Sequence, residues 1–199
     1  MEKTFREAIK HRRSYYAIAQ DSPVSDATIE EFVRWVVTYA PSAFNSQSGR
    51  IVLLLGEHHA KLWNIVADVL RKIVSPNAFA VTEKKINGFA AGHGTALFFE
   101  DESVVKGLQE QLPTYAENFP VWSTQSSAMH QFALWTLLDD AGLGVSLQHY
   151  NPLIDEDVRR TWNLPANWKL IAQMPFGAPT KEPAPKTFQP LDERIKVFK

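Results

Sequence analysis

His11-Arg12-Arg13-Ser14-Tyr15-Tyr16, read with its distant counterpart Ala40-Pro41-Ser42-Ala43-Phe44-Asn45-Ser46-Gln47-Ser48, sets the organisation of this chain. The first stretch places two guanidinium groups and a hydroxyl at consecutive positions, the donor set a phosphate monoester requires. The second offers amides and hydroxyls, which hydrogen-bond the neutral heteroatoms of a planar ring but do not by themselves hold a dianion. One basic clamp and one polar clamp imply a nucleotide with an anionic tail and a polar ring. Taken alone, each has a plainer use: two arginines suit a solvated helix end, and Ser and Asn suit turns and caps.

Around these two stretches the apolar pattern gives the scaffold. Phe5, Ala8 and Ile9 repeat at helical spacing ahead of the basic cluster, so a short helix ends by delivering the arginines. Asp21-Ser22-Pro23 breaks the chain. Ile29, Phe32, Val33, Val36, Val37 and Ala40 then form one stripe, with Thr28 and Glu31 as a capping box, and Pro41 hands that helix over to the polar stretch. The continuous runs Ile51–Leu55 and Thr95–Phe99 predict strands covered on both faces, and Lys169–Phe176 predicts a third, stopped by Gly177.

Further helices are predicted from Leu62 to Ile73, closed by Ser75-Pro76-Asn77, from Val104 to Leu112, from Ser126 to Ala141 and from Asp155 to Trp162. The helix from Ser126 is the central one, with Met129, Phe132, Ala133, Thr136, Leu137 and Asp140 on one face and Gly142 as its stop. Tyr115, Phe119 and Trp122 lie around Pro120 without regular period and predict an aromatic loop, a candidate lid. Beyond residue 178, prolines at 179, 183, 185 and 190 among Lys181, Lys186 and Arg194 predict an extended arm lying on a second copy of the chain. Strands and helices do not alternate strictly, and neither the Gly-x-Gly-x-x-Gly nor the Gly-Lys-Ser/Thr phosphate loop is present. The fold class is α+β, one domain over residues 1–199, with helices around a small sheet.

Composition narrows the chemistry. A formal net charge of -1 over 199 residues gives no electrostatic case for nucleic acid or an anionic membrane, so the expected partner is small. With no cysteine there is no disulfide, no thiolate nucleophile and no cysteine-ligated metal, so redox chemistry must come from a bound cofactor. Charges at Glu2, Lys3, Arg6, Glu7, Lys10, Arg12 and Arg13 speak against a signal peptide or membrane anchor, and a cytoplasmic protein is expected. His58 and His59 read as an exposed helix start, and no His-Glu-x-x-His pattern suggests a metal.

Four motifs recur in order: Arg12-Arg13-Ser14, Ala40 to Gln47, Gly142-Leu143-Gly144, and Phe176-Gly177-Ala178-Pro179 before a basic, proline-rich tail. In these the whole chain resembles the flavin-dependent nitroreductase family, and within it the small branch typified by the fatty acid repression mutant protein and copper-induced nitroreductase. The resemblance implies a three-layer α+β sandwich with a mixed, mainly antiparallel sheet. It also implies a homodimer with two FMN molecules at its interface, reducing nitroaromatics, quinones and similar acceptors with NADH or NADPH. Carried over by position, Arg12 and Ser14 hold the FMN phosphate and ribityl chain with Arg13 alongside, and Lys186 reaches the phosphate. Ser42, Asn45 and Gln47 come from the other subunit, and Gln148 and His149 lie along the isoalloxazine edge.

Two positions depart from that pattern. Tyr16 stands where many relatives carry Lys or Arg against the flavin pyrimidine, so Lys84 or Lys85 is the candidate cation in its place. Phe188 replaces a second basic residue of the tail. Aromatic planes suit flat acceptors, which makes Tyr115, Phe119 and Trp122 the candidate substrate walls, although packing is their commoner use. No side-chain catalyst is required. Two readings stand: an NAD(P)H-dependent FMN oxidoreductase with a ping-pong cycle, or a flavin-binding regulatory or stress-response protein whose turnover is incidental.

Overall fold

A computed structural model describes residues 3–199 and sorts the apolar side chains onto the two faces of one sheet. Helices α1 (Phe5–His11), α2 (Asp26–Tyr39), α3 (Gly56–Ile73), α4 (Pro76–Ala90), α5 (Glu102–Gln111), α6 (Phe119–Asp140) and α7 (Asp155–Thr161) surround strands β1 (Ile18–Ala19), β2 (Gly49–Leu55), β3 (Gly94–Asp101), β4 (Gly144–Val145) and β5 (Trp168–Pro179). The strand order is β1-β5-β3-β2, with β4 also on β5. These pairings are antiparallel, and the parallel element is an isolated bridge between Ser14 and Val145.

Alternation along β3 divides the core. Leu97 and Phe99 join Leu62, Trp63, Val66 and Phe89 on the α3–α4 side. Ala96 and Phe98 join Ile29, Val36, Leu134 and Leu138 on the α2–α6 side. Helices on both faces of the sheet make the three-layer α+β sandwich that the family resemblance implied. Among the described residues no helix is long and apolar enough to cross a membrane.

The strands at 51–55, 95–99 and 169–176 are all present, each longer than its apolar run. β3 is buried along its whole length, but β2 is an edge strand whose Ile51, Val52 and Leu53 are only half-buried. An uninterrupted apolar run carries no signal that separates a central strand from an edge one. β5 continues through Gly177 to Pro179, so that glycine is not a stop. A Cβ there would lie 2.2 Å from the Ala19 carbonyl oxygen, and the glycine instead lets β1 close on β5.

The helices bring larger corrections. Ser25 caps α2, its Oγ accepting from Thr28 N–H, and the capping box is found on α1, between Thr4 and Glu7. α4 was not expected at all: Pro76, read as a terminator, occupies the first helical turn, where its missing N–H costs nothing. α6 starts at Phe119, so Trp122 is helical, and Tyr115 lies in a short 3-10 turn, so the segment is not an irregular loop. Its buried residues include Ser126, Ser127, His130, Gln131 and Asp139, whereas Met129 and Phe132 are exposed. α6 touches α1, α2, α5 and the sheet, so burial runs far round its circumference and no single apolar stripe describes it. Gly142, at φ 92°, does end it. His59 is buried rather than exposed, because Thr95 and Ala90 on neighbouring elements give both ring nitrogens partners. Beyond Thr180 the chain is extended and mostly exposed, apart from one short turn at Leu191–Glu193.

Candidate functional site

α1 ends at His11, whose Nδ1–H donates to Asp139 Oδ2 at 2.6 Å on the buried end of α6. The chain then crosses α6 as an extended loop. Tyr15 N–H donates to the Val145 carbonyl on β4 at 2.9 Å, and Trp135 Nε1–H donates to the Arg13 carbonyl at 3.3 Å. The Arg12 guanidinium lies over the Trp135 ring, 4.4 Å from its centroid, and its Nε is buried with no partner among the described residues. Stacking on an indole and an unpaired donor leave that guanidinium shaped for an acceptor from outside the chain.

Residues 181–186 of the tail fold back over this loop. Tyr15 O–H donates to Glu182 at 3.3 Å, and Arg13 donates to the Ala184 carbonyl. A cavity of about 580 Å³ opens between the two segments, lined by residues 12–17 and 181–186. That volume falls within the range of cofactor pockets, about 300–1,000 Å³. Arg12, Arg13, Lys181 and Lys186 face one carboxylate, Glu182, so the cavity is net cationic. Burial, then the Glu182 charge, raises the pKa of Tyr15, which keeps its hydroxyl protonated and donating. The structure therefore brings Arg12, Arg13, Ser14, Tyr16 and Lys186 to one place. The exposed Tyr16 ring approaches Phe89, with centroids 6.3 Å apart, and Lys85 Nζ lies 5.8 Å from the same Phe89 ring. Of the two candidate lysines, Lys85 is the one that shares this neighbour with Tyr16.

Ser42, Asn45 and Gln47 do not line that cavity. They form a short turn between α2 and β2 in which Ser42 Oγ accepts from Gln47 N–H at 2.9 Å. Beside it a second cavity, about 320 Å³, is lined by Ala43, Phe44, Trp122, Gln125, Ser126 and Met129. Phe44 packs on Tyr115, Phe119 and Trp122 at centroid distances of 5.9, 5.5 and 6.0 Å. Of the three aromatic candidates only Trp122 borders the cavity; Phe119 is buried and Tyr115 stands outside it. Gln148 is buried, exchanging backbone hydrogen bonds with Gln173 and donating from its side chain to Ser146, and His149 is exposed. Neither lines either cavity. Among the described residues no group of three His, Asp or Glu side chains is placed to hold a metal ion.

Sequence reading did not single out Trp135, Asp139, Glu182 or Phe44. The first three lie more than 120 residues from the partners they meet. Phe44 had a local signal, its place inside the polar stretch.

Comparison with known proteins gives the same picture over nearly the full length. A sequence model described as the nitroreductase family matches residues 9–178. Nitroreductase FRM2 of Saccharomyces cerevisiae is 32% identical over 196 residues, covering 98% of this chain and 96% of that protein. The structure of nitroreductase CinD from Lactococcus lactis in complex with chloramphenicol is 44% identical with a TM-score of 0.91, covering 98% of this chain and 100% of that one. CinD in complex with 4-nitrophenol matches with a TM-score of 0.90, 44% identity and the same coverage.

Proposed function

Because the chain belongs to the nitroreductase family, we propose that it is an FMN-dependent oxidoreductase that uses NADH or NADPH to reduce nitroaromatic, quinone or related flat acceptors in two successive half-reactions. The observation that carries this reading is the cationic cavity between residues 12–17 and the tail, with its buried Arg12 Nε unpartnered among the described residues. When bound there, FMN would supply two-electron chemistry that this cysteine-free chain's own side chains do not.

In this reading Arg12, Arg13, Ser14 and Lys186 hold the phosphate and ribityl groups. Tyr16 donates a hydrogen bond at the pyrimidine edge, and Lys85 supplies the positive charge that relatives place at position 16. Ser42, Asn45 and Gln47 serve a flavin held mainly by a second subunit, with Gln148 and His149 along the ring edge. The separation of the polar loop from the basic cavity within one chain supports that two-chain site, and the exposed residues after Lys186 can reach a partner. Phe44 and Trp122 wall the acceptor slot. The structure of CinD in complex with 4-nitrophenol, a flat nitroaromatic, supports the acceptor class.

A flavin-binding regulatory or stress-response role is the second reading, favoured by the neutral Tyr16 where a cation is usual. Steady consumption of NADH or NADPH with a nitrobenzoate, lost in Arg12→Ala, supports the enzyme. A chain that binds FMN and consumes neither nicotinamide supports the regulatory role.

A further inference from the structure

The loop that carries Ser42, Asn45 and Gln47 holds a backbone conformation that needs outside support. Phe44, Asn45 and Gln47 have φ of 55°, 50° and 49°, in the left-handed region where a Cβ crowds the neighbouring carbonyl. The bonds within the loop are few: Asn45 N–H to the Ser42 carbonyl, Ser46 N–H to the Ala43 carbonyl and Gln47 N–H to Ser42 Oγ.

Arg50, at the start of β2, reaches back to that loop. Its Nη1 donates to the Gln47 carbonyl at 2.6 Å and to the Gly49 carbonyl at 3.0 Å, while Nη2 donates to Asp101 Oδ2 at 2.9 Å. Asp101 is itself fixed, its Oδ1 accepting from Asn167 Nδ2 at 2.6 Å and from the Ser103 backbone and hydroxyl at 3.1 and 2.5 Å. Burial alone would raise the Asp101 pKa, but these donors and the Arg50 charge hold it below the usual value, so the pair stays ionised. A second tie sits two residues before Arg50, where buried Ser48 donates from its hydroxyl to Glu100 Oε2 at 2.6 Å and Asp101 N–H donates to the Ser48 carbonyl. A forked guanidinium holds a carboxylate and a loop carbonyl on separate nitrogens in one fixed plane, a geometry the shorter, single-nitrogen ammonium does not reproduce.

We propose that Arg50, braced by Asp101, is a positioning residue that holds the 42–47 loop in its left-handed form and thereby sets how tightly FMN is bound. The inference rests on the flavin reading above. It assigns a role to a strand-end arginine that lines neither the basic nor the aromatic cavity.

The test uses the full chain with Arg50→Met, Arg50→Lys, Asp101→Asn and the Arg50→Met/Asp101→Asn double variant. FMN affinity is read by quenching of flavin fluorescence, and folding by thermal unfolding of the flavin-free protein. Arg50→Met is expected to weaken FMN binding about 10- to 100-fold and to alter the visible spectrum of the bound flavin. Arg50→Lys recovers part of the affinity, because its single nitrogen keeps the charge but not that planar geometry. The double variant binds no worse than Arg50→Met, since the two residues act as one unit. Arg50→Met that binds FMN as the wild type does, with the same spectrum, overturns the proposal. Should Arg50→Met fail to fold, wild-type affinity in both Arg50→Lys and Asp101→Asn overturns it equally. A wild-type chain that takes up no FMN instead overturns the functional reading, and the inference with it.

Discussion

His11 Nδ1–H donates to Asp139 Oδ2 at 2.6 Å at the point where α1 gives way to the basic loop, with the Asp139 side chain fully buried and His11 half exposed. The pair ties the residue before Arg12 to the last turn of the longest helix, so the rigid part of the fold sets where the guanidinium groups begin. Asp139→Ala removes the acceptor and leaves the His11 donor unmatched. It is expected to lower the unfolding free energy by about 1–3 kcal/mol and to weaken FMN uptake, measured by urea unfolding and flavin titration. Unchanged uptake would mean that the Tyr15–Val145 contact places the loop unaided.

Stability is expected to fall on mild acidification because of His59. Burial pushes its pKa down to about 4 from 6.5. Its Nε2–H donates to the Ala90 carbonyl, and Nδ1 accepts from the Thr95 hydroxyl, which in turn accepts from Trp63 Nε1–H. Below about pH 6.5 the unfolded chain binds a proton that the folded chain refuses. The contribution is therefore whole above that pH and is lost progressively as pH falls to about 4, amounting to about 3 kcal/mol. Glu100 and Asp155, whose pKa values are raised by burial, act in the opposite sense and favour the folded state at low pH. Urea unfolding at pH 7.5 and pH 5 should show a larger loss for the wild type than for His59→Gln; equal losses would remove His59 as the cause.

Gly177→Ala should destabilise more than its single methyl suggests. The new Cβ would meet the Ala19 carbonyl oxygen at 2.2 Å and the His93 nitrogen at 2.9 Å, both backbone atoms that cannot swing aside. A loss of about 2 kcal/mol or more is expected, read as a fall in melting temperature; a wild-type melting temperature would show that β1 separates from β5 at little cost.

Phe44→Ala should act on the acceptor. Its ring borders the aromatic cavity and packs on Trp122 at an interplanar angle of 26°. Losing that plane is expected to raise KM for a nitrobenzoate by about tenfold. Equal KM values would place the acceptor elsewhere.

Much of this scaffold was legible because burial on both faces leaves a continuous apolar signature, as in β3, and because Arg12-Arg13-Ser14 follows directly on a helix end. α4 was missed because Ser75-Pro76-Asn77 serves equally as a stop or a start, and only packing of Ile86 and Phe89 decides it. The buried polar face of α6 was misread because surrounding elements, rather than helical period, decide which of its residues are covered. The basic cavity's lining residues Arg12, Arg13, Ser14, Tyr16 and Lys186 were legible one by one, but not their assembly. Trp135 beneath Arg12, Asp139 behind His11 and Glu182 over Tyr15 are set by long-range folding that spacing does not encode.

Anaerobic titration of the FMN-loaded protein with NADH and with NADPH, followed by addition of a nitroaromatic, tests the proposed chemistry most directly. The expected result is bleaching of the flavin absorbance by at least one nicotinamide and its stoichiometric return on adding the acceptor. A yellow protein that neither nicotinamide bleaches would contradict it.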